Sequence, residues 1–293
     1  VETAAAKYQH RLHRVLGFID AHLEQELRLE CLGAVAAFSK YHFHRQFAAL
    51  FGLSAHRYVE LSRIHRAAQA LAFRDQLSIT AIALASGYEA PEAFARAFRR
   101  STGQSPSEFR RRPHWHAWLA AHRPVTELRR LHMQPGHRLE HVQVIEFPAT
   151  RVAMLEHRGD PALIGDSVRR FIAWRRANRL PPALAATYNI LYDDPEHADP
   201  EHFRIGLAVA TDGEIAPNSS GIVPSLIPGG SCAVLRITGP EDTLGASAAW
   251  LYGQWLPQSG RELRDYPLFL QRLRFFPDVA EHEAVSDLLL PLA

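Results

Sequence analysis

The pattern Phe43-x-Arg45-x-Phe47-x4-Gly52-x-Ser54 recurs as Phe94-x-Arg96-x-Phe98-x4-Gly103-x-Ser105, displaced by 51 residues. On a helix, residues four apart share a face, so each copy anchors itself by two aromatics. The arginine between them lies roughly 200° from the first ring and points outward. Each copy then reaches a glycine suited to a left-handed helix stop. Proline is absent until Pro91, so nothing interrupts helical patterning over the first ninety residues.

Each copy is preceded by a short apolar helix and a turn: Leu32 to Ala37 before Phe38-Ser39, and Ile79 to Ser86 before Gly87-Tyr88. Ser39 suits a helix N-cap, and Pro91 the first helical turn. Leu12, Val15, Leu16, Ile19 and Leu23 form one helical stripe; Val59, Ile64, Ala67, Ala68 and Leu71 form another. A short helix, a tight turn and a second helix with an exposed arginine make a helix-turn-helix unit, present here twice.

Charge points the same way. Residues 1–113 carry 16 Lys and Arg against 10 Asp and Glu, whereas residues 114–293 carry 17 against 21. A basic first third joined to an acidic remainder fits one half meeting a polyanion. At 293 residues the chain is long enough for two domains, and 47% apolar with 22% charged residues excludes a largely disordered chain.

Residues 8–112 resemble the AraC/XylS family of transcription regulators. The resemblance rests on Ser39 to Phe47 (SKYHFHRQF), Ser78 to Ala83 (SITAIA), Gly87 to Phe98 (GYEAPEAFARAF) and Gly103 to Arg110 (GQSPSEFR). It implies a long helix over about 55–74 joining two units whose recognition helices enter successive major grooves. It also implies DNA contacts from Ser39, Lys40, Tyr41, His44 and Arg45, and from Glu92 and Arg96 in the second unit. Arg45 suits a guanine edge, Tyr41 a sugar or thymine methyl, and Glu92 a cytosine amine. Some relatives carry amides or hydroxyls where this chain has Pro91, Glu92 and Ala93, so the second helix is expected to contribute less specificity, or a different one.

Residues 113–140, with Trp115, Trp118 and Gln134-Pro135-Gly136, are expected to form a linker that packs partly through its tryptophans. From residue 141 the period changes. Stretches 141–147, 151–156, 204–210 and 232–237 are β-like, and helical patterns fall at about 161–178 and 241–256. A second repeat appears at offset 80: Pro148, Ala153, Leu155, Gly159 and Gly165 match Pro228, Ala233, Leu235, Gly239 and Gly245. The expected fold class is therefore multidomain. An all-α double helix-turn-helix domain (1–112) and a linker (113–140) precede an α+β domain (141–293) of two pseudo-symmetric strand/helix repeats, with a ligand groove between them.

This half resembles the GyrI-like (SHS2-type) effector-binding domain over about 140–293. The matching stretches are Tyr192-Asp193-Asp194-Pro195, Ile227 to Val234, Trp255 to Gly260, and Leu290-Pro291-Leu292. The resemblance implies a small-molecule effector, often aromatic and cationic. Trp174, Tyr188, Tyr192, Tyr252 and Trp255 are candidate lining residues. The family often reads Pro-x-Phe-Glu-x-Tyr near its end, with the glutamate facing the pocket. Here Leu270 and Arg272 stand at the Glu and Tyr positions, which predicts a pocket for neutral or anionic aromatics.

The expectation is a one-component transcription regulator with duplex DNA, a small molecule and RNA polymerase as partners. Two alternatives stand beside it: a GyrI-like hydrolase of small electrophiles, and a DNA-binding protein whose second half meets other proteins. No GxSxG, Walker A or Rossmann glycine run is present, so no enzyme and no cofactor is expected. The pairs His42/His44 and His114/His116 put their rings on different helix faces, and no metal is expected. Two cysteines 201 positions apart are expected to be buried reduced thiols. With no 18-residue apolar run and no signal-like segment, a cytoplasmic location is expected.

Overall fold

The computed structural model describes residues 4–133, 136–275 and 278–293. It divides into two compact units, 1–134 and 135–293.

The first unit is all helical: α1 (Ala4–Ala21), α2 (Leu29–Val35), α3 (Lys40–Phe51), α4 (Ala55–Phe73), α5 (Ile79–Ala85), α6 (Pro91–Thr102), α7 (Pro106–Arg111) and α8 (Trp115–His132). The repeat is reproduced in geometry. Phe43 and Phe47 are fully buried with ring centroids 5.5 Å apart, and Phe94 and Phe98 are fully buried at the same separation. Gly52 (φ 71°) and Gly103 (φ 78°) close α3 and α6 in the left-handed region. The serine two residues on opens the next helix. Ser54 accepts from the Arg57 amide, and Ser105 forms a reciprocal capping box with Glu108. Thus the Gly-x-Ser ending of each copy is a helix stop followed by a helix start. Ser39 caps α3 by accepting from the His42 amide.

The turns before α3 and α6 are not equivalent. Gly87 has φ 77°, and an added Cβ would lie 2.5 Å from the Leu23 carbonyl oxygen and 2.8 Å from the Arg63 guanidinium. In the turn before α3 the exposed Ala37 adopts φ 55°, a conformation that costs an L-residue roughly 1–2 kcal/mol.

Residues 115–132, expected within a linker, are helix α8 and belong to the first unit. Val125 and Leu128 are buried in the same core as Leu12, Leu16, Phe47 and Tyr58. Arg129 is 2% exposed. Its Nη2 donates to Asp20 (2.8 Å) and its Nε to the Tyr58 hydroxyl (3.0 Å), which itself donates to Asp20 (3.1 Å). A buried charged triad therefore ties α8 to α1 and α4. On the same helix, the His122 ring stacks on His65 of α4 at 3.7 Å, and Trp118 also stacks on His65, at 4.8 Å. Burial drives His122 well below the usual imidazole range, with His65 and Arg129 adding repulsion.

The second unit holds β1 (Val142–Phe147), β2 (Thr150–Arg158), α9 (Ile164–Ala177), β3 (Thr187–Leu191), β4 (Arg204–Ala210), β5 (Val223–Ile227) and β6 (Gly230–Thr238). After these come α10 (Leu244–Trp250), a π-helical turn (Leu251–Trp255), α11 (Leu256–Ser259), β7 (Phe269–Arg274) and β8 (Val285–Pro291). All eight strands form one sheet in the order β1-β6-β8-β7-β3-β4-β2-β5, antiparallel at every pairing. Replacing β1 to β4 by β5 to β8 reverses that order, so the repeats are related by a pseudo-twofold axis between β3 and β7. There Asn189 lies opposite Leu270 in register. The first strand of each repeat is exchanged: β1 pairs with β6, and β5 with β2.

Register assigns the faces. Asn189 is paired with Leu207 on one side and Leu270 on the other, and directly paired residues share a face. Leu207 packs with Ala153, Leu155 and Phe171 of α9; Leu270 packs with Leu251, Trp255 and Leu288. Both helical layers therefore cover the same face. The opposite face carries Phe147, Met154, Tyr188, Ile190 and Phe269. Three strand spacings, about 14 Å in a flat sheet, separate β1 from β7, yet the Phe147 and Phe269 rings are 5.1 Å apart. The sheet curls toward this face and closes it with its own aromatics.

Cys232 is buried, but Cys31 is exposed on α2, contrary to the expectation of two buried thiols. Its neighbour Leu32 supplies the core contact instead.

Candidate nucleic-acid interface and effector groove

On α3, burial of Phe43 and Phe47 leaves Lys40, Tyr41, His44 and Arg45 on the outer side, with Ser39 exposed at its cap. Tyr41 is 74% exposed, too much for a large ring without a partner surface to be a core residue. Lys40 Nζ lies 3.1 Å from Glu30 and 5.3 Å from the Tyr41 ring centroid. Arg28, Glu30, Lys40, Tyr41, His44 and Arg45 line one open concavity, so the start of α2 flanks the outer face of α3. Sequence reasoning did not single out Arg28. The signal available was its position next to a short helix that the repeat already marked.

On α6, Glu92 and Arg96 are exposed while Phe94 and Phe98 are buried. Arg99 is also exposed, one turn beyond Arg96, and joins its face. Arg45, Arg96 and Arg99 form no ion pair among the described residues, and Arg100 is held by Glu60 at 2.5 Å. Glu92 lies in the first turn of α6, where an acid complements the helix dipole, and Arg99 and Arg100 lie in the last. That placement gives Glu92 a reason to be acidic independent of any base.

In the second unit the seven expected ligand residues fall in different places. Tyr188 and Tyr192 face away from the helices. Tyr188 is only 5% exposed and rests against Phe147 and Phe269; burial raises its hydroxyl above the ordinary range. Tyr192 lies under the Arg204 guanidinium at 4.9 Å. Trp174, Trp255, Leu270 and Arg272 lie on the helix side, with Trp174 in the α9 half and Trp255 and Leu270 in the other. Tyr252 is exposed on the π-helical turn, the irregularity by which the second helix departs from α9.

Between the two helix-side apolar clusters runs a polar strip along the pseudo-axis. Thr187 and Asn189 of β3 are buried, and Arg272 of β7 is paired with Thr187 in register. Arg272 Nε donates to Asn189 Oδ1 (2.5 Å), and its Nη1 meets the Glu241 carboxylate. Arg175 of α9, 6% exposed, reaches the same strip. Its Nη1 donates to Thr187 Oγ1 (2.7 Å), Nη2 to the Ala185 carbonyl (3.1 Å) and Nε to that of Leu180 (2.8 Å). Desolvation lowers its pKa to about 10. Sequence reasoning missed Arg175, Asn189 and Glu241. Only the pairing of β3 with β7 brings them together.

Residues 140–293 match the GyrI-like small molecule binding domain. The chain belongs to that family. Residues 32–112 match a helix-turn-helix domain, and this N-terminal region is of the AraC family. An AraC-family helix-turn-helix transcription regulator with a GyrI-like effector-binding domain describes the chain as a whole. Among its relatives, the probable transcriptional regulator YgiV of Escherichia coli K12 is 33% identical over 153 residues, 52% of this chain and 96% of that protein. The uncharacterized HTH-type transcriptional regulator YbfP of Bacillus subtilis is 35% identical over 103 residues, 35% of each protein. The right origin-binding protein of E. coli K12 is 33% identical over 104 residues, 36% of each. The chain thus spans about a third of the length of the last two. Of solved structures, the DNA-binding domain of AdpA in complex with a target DNA is similar at 29% identity and a TM-score of 0.33, covering 36% of this chain and 97% of that one. No helix among the described residues of this GyrI-like regulator is long and apolar enough to cross a membrane.

Proposed function

We propose that this regulator reads duplex DNA with α3 and α6, and that a small aromatic molecule bound by the GyrI-like domain controls that binding. The observation that carries the DNA half is the matched pair of helices, each seated on two buried phenylalanines and each presenting an unpaired arginine. Ser39, Lys40, Tyr41, His44 and Arg45 are assigned to one half-site, and Glu92, Arg96 and Arg99 to the other. Because both helices reside in one chain, a monomer suffices. Binding selection from a random DNA library by the full chain tests this. The expected product is a bipartite motif with half-sites about one helical turn apart. Arg45→Ala relaxes one half and Arg96→Ala the other. Enrichment of no motif, or equal loss on all sequences, refutes the assignment. Contact with RNA polymerase belongs to the same proposal, tested by recruitment of the polymerase to the selected site.

A further inference from the structure

The helix side of the second unit holds two arginines in one strip, and their counter-charges are unequal to the task of neutralising both. Arg175 is buried and donates three hydrogen bonds, all to uncharged oxygens of Thr187, Ala185 and Leu180. It makes no ion pair among the described residues. A buried guanidinium is ordinarily paired with a carboxylate, and two of its five N–H groups have no acceptor assigned. Arg272 stands next to it. Thr187, which accepts from Arg175, is the in-register partner of Arg272, and paired residues on one face have Cβ atoms about 5 Å apart.

Arg272 is held in two ways of unequal permanence. Its inner bond goes to Asn189, which is buried and fixed at the pseudo-axis. Its outer partner is Glu241, whose side chain is 64% exposed while that of Arg272 is 20% exposed. Glu241 sits in the short turn Glu241–Thr243 that leads into α10, at the rim of the strip rather than within it. Because Glu241 is mostly solvated, an incoming carboxylate can take over its contact with Arg272 and leave Glu241 in water. Two residues before the arginine on the same strand face, Leu270 is buried against Trp255 and forms the apolar floor beside the strip.

We propose that this strip binds a small aromatic acid, whose carboxylate replaces that of Glu241 on Arg272 and compensates the charge of Arg175. The carboxylate of Glu241 occupies the ligand's place when the site is empty of it. This inference rests on the reading of the second unit as a small-molecule-binding domain and adds the sign of the ligand's charge. The arginine fork suits a planar carboxylate through parallel N–H bonds, and two positive groups exclude a cation from the same strip.

Calorimetry on the full chain with naphthoate, naphthamide and naphthylmethyl trimethylammonium tests it, since the three share one ring system and differ in charge. Naphthoate should bind at least about tenfold more tightly than the cation. Glu241→Gln should strengthen naphthoate binding by about threefold or more by removing the competitor. Arg272→Gln should weaken naphthoate about tenfold and leave naphthamide within about twofold, because a hydrogen bond to a charged group is the stronger kind. Arg272→Lys, which keeps the charge, should retain the preference for the anion and guards against a folding defect in the glutamine variant. Binding of the cation or the amide in preference to naphthoate overturns the charge assignment and leaves the ligand-binding reading standing. So does an Arg272→Gln effect equal on all three. Binding of none of the three at millimolar concentration overturns both.

Discussion

Replacing Arg129 by Met tests whether α8 is a structural part of the helix-turn-helix unit. The substitution keeps a long side chain between α1, α4 and α8 but removes the cation from Asp20, which is 7% exposed, and from the Tyr58 hydroxyl. Breaking one side of a buried pair costs roughly 3–5 kcal/mol because the remaining charge is stranded. An upper limit follows from titration. A carboxyl that cannot stay charged takes a proton instead, and at pH 7 that costs about 1.4 kcal/mol for each of about three pH units above an ordinary Asp pKa. The expected loss is therefore about 3–4 kcal/mol at pH 7, a large share of a domain stability of about 5–15 kcal/mol. The sign of the pH dependence is diagnostic. In the variant the folded state holds a proton that the unfolded state releases above about pH 4. Its deficit should therefore shrink as pH falls from 7 toward 4, at up to about 1.4 kcal/mol per unit. Urea unfolding of residues 1–134, for the parent, Arg129→Met, Asp20→Asn and the double variant, measures each term. The double variant should recover more than half of the single loss. A loss under about 1 kcal/mol at pH 7, with no pH dependence, would show that the triad is solvated and refute the reasoning.

Four further substitutions probe other parts of the molecule. Ala37→Gly should stabilise the first unit by about 0.5–1 kcal/mol by relieving the left-handed alanine. Gly87→Ala should cost at least about 2 kcal/mol, because its Cβ meets the Leu23 carbonyl; paired urea melts check both. Arg45→Ala should cost about 1–3 kcal/mol on a selected DNA site and much less on random duplex, by fluorescence anisotropy at fixed salt. His122 stays neutral in the fold while the unfolded chain protonates near pH 6.5, so acidification below that value disfavours folding by up to about 1.4 kcal/mol per pH unit. His122→Phe should flatten the stability profile between pH 6.5 and 5, and an unchanged slope would place the lost protons elsewhere.

The helix-turn-helix pair was legible because its evidence is local. Two buried rings, an outward arginine, a glycine stop and a serine start all lie within thirteen residues, and each takes the position its chemistry suggests. Helix α8 was obscured by Pro124 within it and by its histidines and tryptophans, which weaken an apolar stripe. Yet Trp115, Trp118, His122, Val125 and Arg129 recur at spacings of three and four. In the second unit the offset of 80 was visible in prolines and glycines, and it announced the duplication. The strands β3, β5, β7 and β8 were not identified as a set, and the face each residue takes depends on pairing between segments 80 residues apart. Leu270 and Arg272 do share a face, as alternation requires. Tyr188 does not join them, because register sets it beside Phe269 on the opposite side.

The exchange of first strands between the repeats has a consequence for how the second unit holds together. Neither repeat can complete its own half of the sheet, since β1 is sealed onto β6 and β5 onto β2. An interlock of this kind is what two identical short chains would make on embracing one another, each lending its leading segment to its mate. Cutting the connection between β4 and β5, at residues 211–222, would therefore separate the chain without separating the fold. The two pieces would remain clasped, and pieces prepared separately would find each other only as a pair.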